Sequence, residues 1–444
     1  MLDRKALAIL FFTLFLVMLG VGIIIPNIAY RATELDASPV EISLLFALYS
    51  LMQFLFAPIW GHWSDRIGRK PIILAGLFGG AIGLICFGLA TRLPMLYAAR
   101  AFSGLMSSAA LPTAMAYVAD VTDETHRGRG MGAMGAAMGL GFIFGPGIGG
   151  FLARFGHATP FLIAGALNLV TGLAALVLLR ESLGRESRRA AGGPWLRLPA
   201  PWKAAGSPLV PFYGVAFCVP FAMAALETTF PLLLRDRLGM GAREMGTMFL
   251  FMGTAVFLVQ GFFLGRLINA FGEERVLRGG LIVNAFGFLM VPAARDPVSM
   301  TAALVVSGVG NQVMRPTNAS LITKRTVGGQ GAAIGVMDSF DSLGRILGPL
   351  LAGPVYAAEA RLPYVVSAGV LMAGLGLLAI RSGRGGSGRP PRDLGPDRAA
   401  LPDPAASPPP GPNQDAGPDP DAGPNPDAAA AGRSPGRPDP VRPA

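Results

Sequence analysis

A small set of ionisable residues stands inside long apolar runs, and these are the groups with chemistry to offer. Glu227 lies within Ala224-Ala225-Leu226-Glu227-Thr228-Thr229-Phe230. Asp338, Asp341 and Arg345 are spaced i, i+3 and i+7, which places them on one helix face. Arg315 precedes Pro316, and Arg100 sits well inside its own run. A charged side chain at such depth costs at least ~2.5–3.5 kcal/mol, so each must face protein or water. Burial favours a neutral carboxyl and a nearby arginine opposes it. Asp341 and Arg345 are spaced to pair, which favours a structural ion pair. Glu227 has no close sequence partner and is the preferred proton carrier. Asp338 and Asp341 could supply a second carboxylate. The competing reading makes all these acids structural partners and Arg100 a snorkelling or paired cation. Tyr49, Gln53, Phe142, Phe217, Phe221, Phe230, Gln260, Asn284, Asn311 and Gln312 are candidate cavity residues; an apolar cavity with one acid suits a lipophilic cation.

Other chemistries find no support. Cys86 and Cys218 fall inside apolar runs and read as packing residues. His62, His126 and His157 are scattered, so no metal site is expected. No nucleophile–base constellation suggests an enzyme, and no cofactor is expected.

The elements that position these groups follow from composition. Hydrophobic residues make up 52% of the 444 residues and charged ones 14%, whereas a soluble domain carries about a quarter charged. Crossing a bilayer takes about 20 apolar residues as a helix, and the runs here are too long and uniform for barrel strands. We expect an all-α membrane protein with spans near 6–30, 39–60, 71–91, 93–119, 130–153, 158–180, 208–234, 243–267, 275–295, 297–322, 328–357 and 361–381. The first run is long and carries Gly20, Gly22 and Pro26, so it reads as a retained span and not a cleaved leader. The net charge of +10 does not indicate nucleic acid. Its cations fall mostly in loops on one side, the positive-inside pattern, which puts both termini in the cytoplasm and the protein in the plasma (inner) membrane. The loop holding Arg235, Arg237 and Arg243 is the exception.

The polar stretch 181–207, with Pro194, Pro199 and Pro201, separates a first bundle (1–180) from a second (208–381). Residues 382–444 are rich in Pro, Gly, Asp and Ala and are expected to be a disordered cytoplasmic tail. The bundles repeat. Gly61 and Gly68 match Gly265 and Gly272, 204 positions on. Gly104-x7-Pro112-Thr113 matches Gly308-x7-Pro316-Thr317 at the same offset. Gly145-Pro146-x-x-Gly149-Gly150 matches Gly348-Pro349-x-x-Ala352-Gly353 at 203. Two similar six-span halves are a known transporter design, with the site near the midplane.

The loop Gly61-x-x-x-Asp65-Arg66-x-Gly68-Arg69-Lys70 resembles motif A of the major facilitator superfamily. Arg100-x-x-x-Gly104 resembles its motif B, and Gly132-x8-Gly141-x3-Gly145-Pro146-x-x-Gly149-Gly150 its antiporter motif C. Leu19-Gly20-x5-Pro26 resembles the first-span motif of twelve-span drug exporters. The resemblance covers 1–381 and is strongest to bacterial multidrug and tetracycline:proton antiporters. It implies twelve helices in two pseudo-symmetric bundles, alternating access, and proton-driven efflux of a small lipophilic or cationic compound by a monomer embedded in lipid. Motif A then implies a conformational latch on Asp65 and Arg69, with Arg66 and Lys70 as lesser members and the glycines allowing close backbone approach. The plainer reading leaves these cations as topology signals. The second copy replaces Asp65 by Asn269 and Arg69 by Glu273, so the latch is expected on one side only. Motif B links Arg100 to proton transfer, and motif C implies a seal against leak, where packing alone is the alternative. Related quinolone exporters carry an acid at the position of Glu227 and a second where this chain has Gln312; tetracycline exporters carry an aspartate where it has Val17. Uptake or facilitated diffusion by the same fold, and a transport-inactive sensor or scaffold, are the alternative functions.

Overall fold

The computed structural model describes residues 4–184, 207–326 and 330–384. Among them run twelve helical rods: α1 Arg4–Thr33, α2 Pro39–Ile67, α3 Arg69–Leu89, α4 Leu93–Val121, α5 Glu124–Leu152, α6 Thr159–Leu178, α7 Val210–Leu238, α8 Ala242–Phe271, α9 Glu273–Ala293, α10 Pro297–Arg325, α11 Gln330–Ala358 and α12 Leu362–Arg384. No strand occurs among the described residues. Most of the 181–207 stretch and nearly all of the expected tail lie outside them.

Local chemistry sets the boundaries. Ser38 caps α2 reciprocally with Glu41, and Pro39 opens the helix where its missing N–H is not needed. Asp296 caps α10 by accepting from the Val298 and Ser299 amides. Gly239 ends α7 at φ 63°, a left-handed conformation that a β-carbon disfavours. A π-helical turn, Val259–Phe263, interrupts α8.

Nine of these rods are long and apolar enough to cross a membrane. The others, α4, α10 and α11, are equally long at 29 residues each. They are the rods that carry Arg100, Arg315 and the Asp338–Arg345 face. Hydropathy is diluted where polar side chains turn toward protein or water.

Packing repeats between the halves. In the first, α1 packs on α5 and α6, α3 on α4 and α6, and α2 on α4; in the second, α7 packs on α11 and α12, α9 on α10 and α12, and α8 on α10. The repeat is contact for contact. Gly76 faces Ala110 as Gly280 faces Met314, and Gly83 faces Ser103 as Gly287 faces Ser307. Each substitution of glycine there would drive a methyl group into the neighbouring helix, so the small residue sets the interhelical distance.

The halves meet through α5 on α8 and α2 on α11. These contacts lie toward one end. Gly150 faces Ala242 and Gly246, Gly253 faces Ile143, and Gly353 faces Ser43 and Pro39. At the other end, which carries the α2–α3 and α8–α9 loops, a methyl group placed at Gly61, Gly132, Gly135, Gly139, Gly265, Gly331 or Gly335 would meet nothing within 4 Å. The bundle is closed at one end and splayed at the loop end.

Candidate functional site

Arg100 enters the interior from α4, about 10 Å along from the closed end at 1.5 Å per residue. It is 5% exposed. Its guanidinium stands 4.7 Å from the Tyr49 ring, 5.7 Å from Phe46 and 5.6 Å from Phe87. Its Nε is buried and meets no hydrogen-bond acceptor among the described residues. Three aromatic faces thus hold this cation by ring electrostatics. The Tyr49 hydroxyl lies 2.9 Å from Ser107 Oγ and accepts from Gln53 Nε2 at 3.2 Å. Tyr49 and Gln53 are among the cavity candidates of the sequence, whereas Phe46 and Phe87 are not. Phe46 precedes Tyr49 by three positions, a same-face spacing that was available; Phe87, on α3, was not.

Glu227 projects from α7, about 17 Å from the closed end. It is half-buried, and among the described residues it makes no hydrogen bond or ion pair. The opposite charges that act on it are Arg345 of α11 and Arg100 of α4. The adjacent hydroxyls do not serve it, because Thr228 and Thr229 bond back to the carbonyls of Ala224 and Ala225. Arg345 Nε donates to Asp341 at 2.9 Å, as the spacing predicts. Asp338 instead turns to Arg315 of α10 at 3.5 Å. That pair is 64% and 52% exposed within a span, so it must face a watery space and not lipid. Three acids and three arginines therefore balance, with two pairs made and with Arg100 and Glu227 left over.

The cavity candidates separate by burial. Tyr49, Gln53, Phe142, Phe217, Asn311 and Gln312 are half-buried, and Gln260 is exposed within the π-turn of α8. Phe221, Phe230 and Asn284 are buried, which removes them from any open surface. Phe230 packs against Phe249 with ring centroids 6.5 Å apart. Asn284 lies where α9 meets Gly310 of α10, so close approach of the two backbones encloses it.

The motif C glycines divide by face. Gly141, Gly145 and Gly149 point at α1, against Phe15, Leu19, Gly22 and Ile23. Gly150 turns to α8, and Pro146 stands between the two faces, its ring against Gly22 of α1 and its carbonyl against Gly246 of α8. Gly132 meets open space. In the second half, Gly344 and Gly348 meet Phe217 and Phe221 of α7, and Gly353 turns to α2. One helix in each half thus joins its own bundle with one face and the opposite bundle with the next.

In the α2–α3 loop, Gly68 has φ 122°, a turn conformation suited to glycine. Gly61 has open space around it, so the close approach expected there is not found in this conformation. Arg69 Nη1 donates to Asp65 at 2.5 Å and to Ser64 at 2.6 Å, and Nε to Asp120 of α4 at 3.1 Å. Lys70 Nζ donates to the Leu176 carbonyl at 2.6 Å. The amides of Arg69 and Lys70, the first of α3, donate to the Glu181 carboxylate at 2.8 and 3.3 Å. Sequence reasoning missed Glu181 and Asp120. The second loop, where Asn269 and Glu273 replace the residues of the expected latch, carries ion pairs of its own. Glu273 accepts from Lys324 at 2.8 Å and Ser320 at 2.7 Å, and Glu274 from Arg325 at 2.7 Å and Arg278 at 2.5 Å.

Two repeated bundles of membrane-length helices, joined at one end over a cluster of charged side chains within the spans, have the architecture of a multi-pass membrane transporter. The family model described as Major Facilitator Superfamily matches residues 10–264 and 254–409, and the chain belongs to that superfamily. Similar proteins include Multidrug resistance protein 2 of Bacillus subtilis, 29% identical over 85% of this chain and 95% of that protein. The quinolone resistance protein NorA of Staphylococcus aureus is 26% identical over 85% and 96%. Among solved structures, the nucleoside transporter NupG superposes with a TM-score of 0.70 at 13% identity, covering 85% of this chain and 99% of that one. The human organic anion transporter MFSD10 gives 0.62 at 23%, with the same coverage. The superfamily moves small molecules across membranes.

Proposed function

We propose that the chain is a monomeric, proton-driven exporter of a small lipophilic or cationic compound, working by alternating access in the plasma membrane. Its loop end, with both termini, faces the cytoplasm, which makes the conformation described here inward-open. No cofactor is required beyond the proton gradient. The single observation that carries the reading is that Glu227 is the carboxylate of the central cluster left without a partner. Asp341 and Asp338 already have arginines, so changing their charge disrupts a pair; changing that of Glu227 does not. With Glu227 charged the cluster is neutral, and with Glu227 protonated it carries one net positive charge. A cation and a proton therefore compete for the same site, which is the condition for antiport. The motif C packing and the drug-resistance names of the similar proteins favour export. Gln312 and Val17, where related exporters carry acids, leave Glu227 with most of the coupling.

Everted vesicles loaded against a panel of lipophilic cationic dyes test this, with pH followed on each side. Wild type is expected to release protons on adding substrate, and Glu227→Gln to lose that release together with accumulation. One proton moving down ~100 mV supplies ~2.3 kcal/mol and each pH unit ~1.36. Flux that ignores an uncoupler would overturn the reading.

A further inference from the structure

Between matched ends, α8 is one residue longer than its counterpart α2. The Ser38 amide donates to the Glu41 carboxylate at 2.8 Å where α2 starts, and the Gly241 amide to Glu244 at 3.0 Å where α8 starts. These starts lie 203 positions apart, whereas the ends, Gly68 and Gly272, lie 204 apart. The π-turn Val259–Phe263 holds the difference: the Leu264 amide reaches back five residues to the Val259 carbonyl. In a plain α-helix an extra residue would turn everything after it by about 100°. The wider turn absorbs it, so Val256 before the turn and Leu264 after it both pack on the hydrophobic core.

The turn sits where the seam between the halves opens. α5 packs on α8 through Ala242–Leu258, with Gly253 against Ile143. Past that point residues 260–263 are exposed, and Gly139, Gly135 and Gly132 of α5 face open space. The inner segment, Leu264–Phe271, is tied instead to α9, through Gly272 at φ 80°. One part of α8 is therefore held by the opposite half and the other part by its own. We infer that the π-turn is a joint: Leu264–Phe271 swings across the open seam toward α5 while Ala242–Leu258 stays seated. Bends in helices concentrate at such turns, and Gly261 at its centre adds backbone freedom. α2 is α-helical throughout, from Pro39 to Ile67. The two seams therefore close differently: α8 bends toward α5, whereas α2 and α11 approach as whole helices.

The inference rests on the alternating-access reading above, and the test separates the two. Full-length protein in lipid nanodiscs, with Cys86 and Cys218 changed to Ala, would carry two cysteine pairs in turn. Gly128→Cys on α5 and Ala270→Cys on the inner segment, both exposed sites, report closing of the loop end by their rate of disulfide formation under copper–phenanthroline. Thr247→Cys and Ala270→Cys, spin-labelled, lie about 35 Å apart along α8 and report its bend alone. Wild type should cross-link and show two α8 distances. Deleting Gly261 sets Leu264 seven residues after Val256, as Trp60 follows Gln53 in α2. The deletion should leave the unfolding midpoint unchanged, reduce the α8 distances to one, and slow cross-linking roughly tenfold. Gly261→Ala keeps the chain length, and its methyl group meets nothing within 4 Å. It should slow cross-linking about fivefold, the size of one glycine-to-alanine step in helix preference, and it decides by the same readings if the deletion does not fold. Cross-linking at the wild-type rate in the folded variants, or a wild type that cross-links with a single α8 distance, overturns the joint and leaves alternating access standing. No cross-linking in wild type overturns both. A bending α8 in a protein whose dye flux ignores an uncoupler keeps the joint and rejects only the proton-driven reading.

Discussion

The α2–α3 and α8–α9 loops occupy equivalent places 204 positions apart, and they hold the same ion pair with its charges exchanged. In the first, Arg69 reaches Asp120; in the second, Glu273 reaches Lys324. Each pair ties the first residue of one helix to the last turn of the next. The repeat therefore keeps the bond and leaves its polarity free. Polarity has consequences nearby. A carboxylate four residues before Glu273 would repel it, so Asn269 stands where the first half has Asp65. The helix starts differ too. The amide end of a helix disfavours cations, and α3 opens with Arg69 and Lys70; the Glu181 carboxylate offsets them. At the start of α9, Glu273 and Glu274 provide that negative charge themselves.

The largest effect should come from reversing the first cluster alone. Arg69→Glu places a fourth carboxylate among Asp65, Asp120 and Glu181. The cost should be about 2–3 kcal/mol, read as a fall in the apparent unfolding midpoint of detergent-purified protein, with dye transport at least tenfold lower. The triple change Asp65→Asn/Arg69→Glu/Asp120→Lys rebuilds the second-half pattern in the first loop. It should restore most of the midpoint. Transport divides the two readings of motif A. If Asp65 latches a step of the cycle, the triple variant stays slow and Asp65→Asn alone is slow at unchanged midpoint and substrate affinity. Full turnover in the triple variant would reduce the loop to local glue and a topology signal.

Periodicity and glycine spacing make most of the fold legible in the sequence. The matches of Gly104 with Gly308 and of Gly145 with Gly348 predict packing, and each pair of glycines does meet equivalent helices. The Asp341–Arg345 pair followed from one helix's geometry. Contacts between helices did not follow. Nothing in one chain said that Asp338 would turn to Arg315, or that Phe87 would close the Arg100 box. Residue type places Phe221, Phe230 and Asn284 among the cavity candidates, whereas burial depends on which helix lies opposite. The ion pair of the second loop escapes a motif match because such a match compares identities, while an ion pair survives a swap of both partners.

Glu181 gives an intermediate test. Glu181→Gln removes the charge opposite the start of α3 and keeps a hydrogen-bonding group there, so about 0.3–1 kcal/mol should be lost. The same substitution at Glu273 also strands Lys324, which is 66% exposed and can return to water, so the loss should be of similar size.

The smallest effect tests the account of Asn269 itself. Asn269→Asp puts a carboxylate one turn before Glu273, at the spacing where Asp65 meets Arg69. Like charges so placed should cost about 0.2–0.5 kcal/mol, less at high salt. Adding Glu273→Arg and Lys324→Asp should offset most of that cost, because the loop would then carry the counterparts of Asp65, Arg69 and Asp120 but not that of Glu181. Raising salt should shrink both differences together. If Asn269→Asp is neutral at low salt and stays neutral in the triple variant, the asparagine has another cause and the two loops are alike only in position.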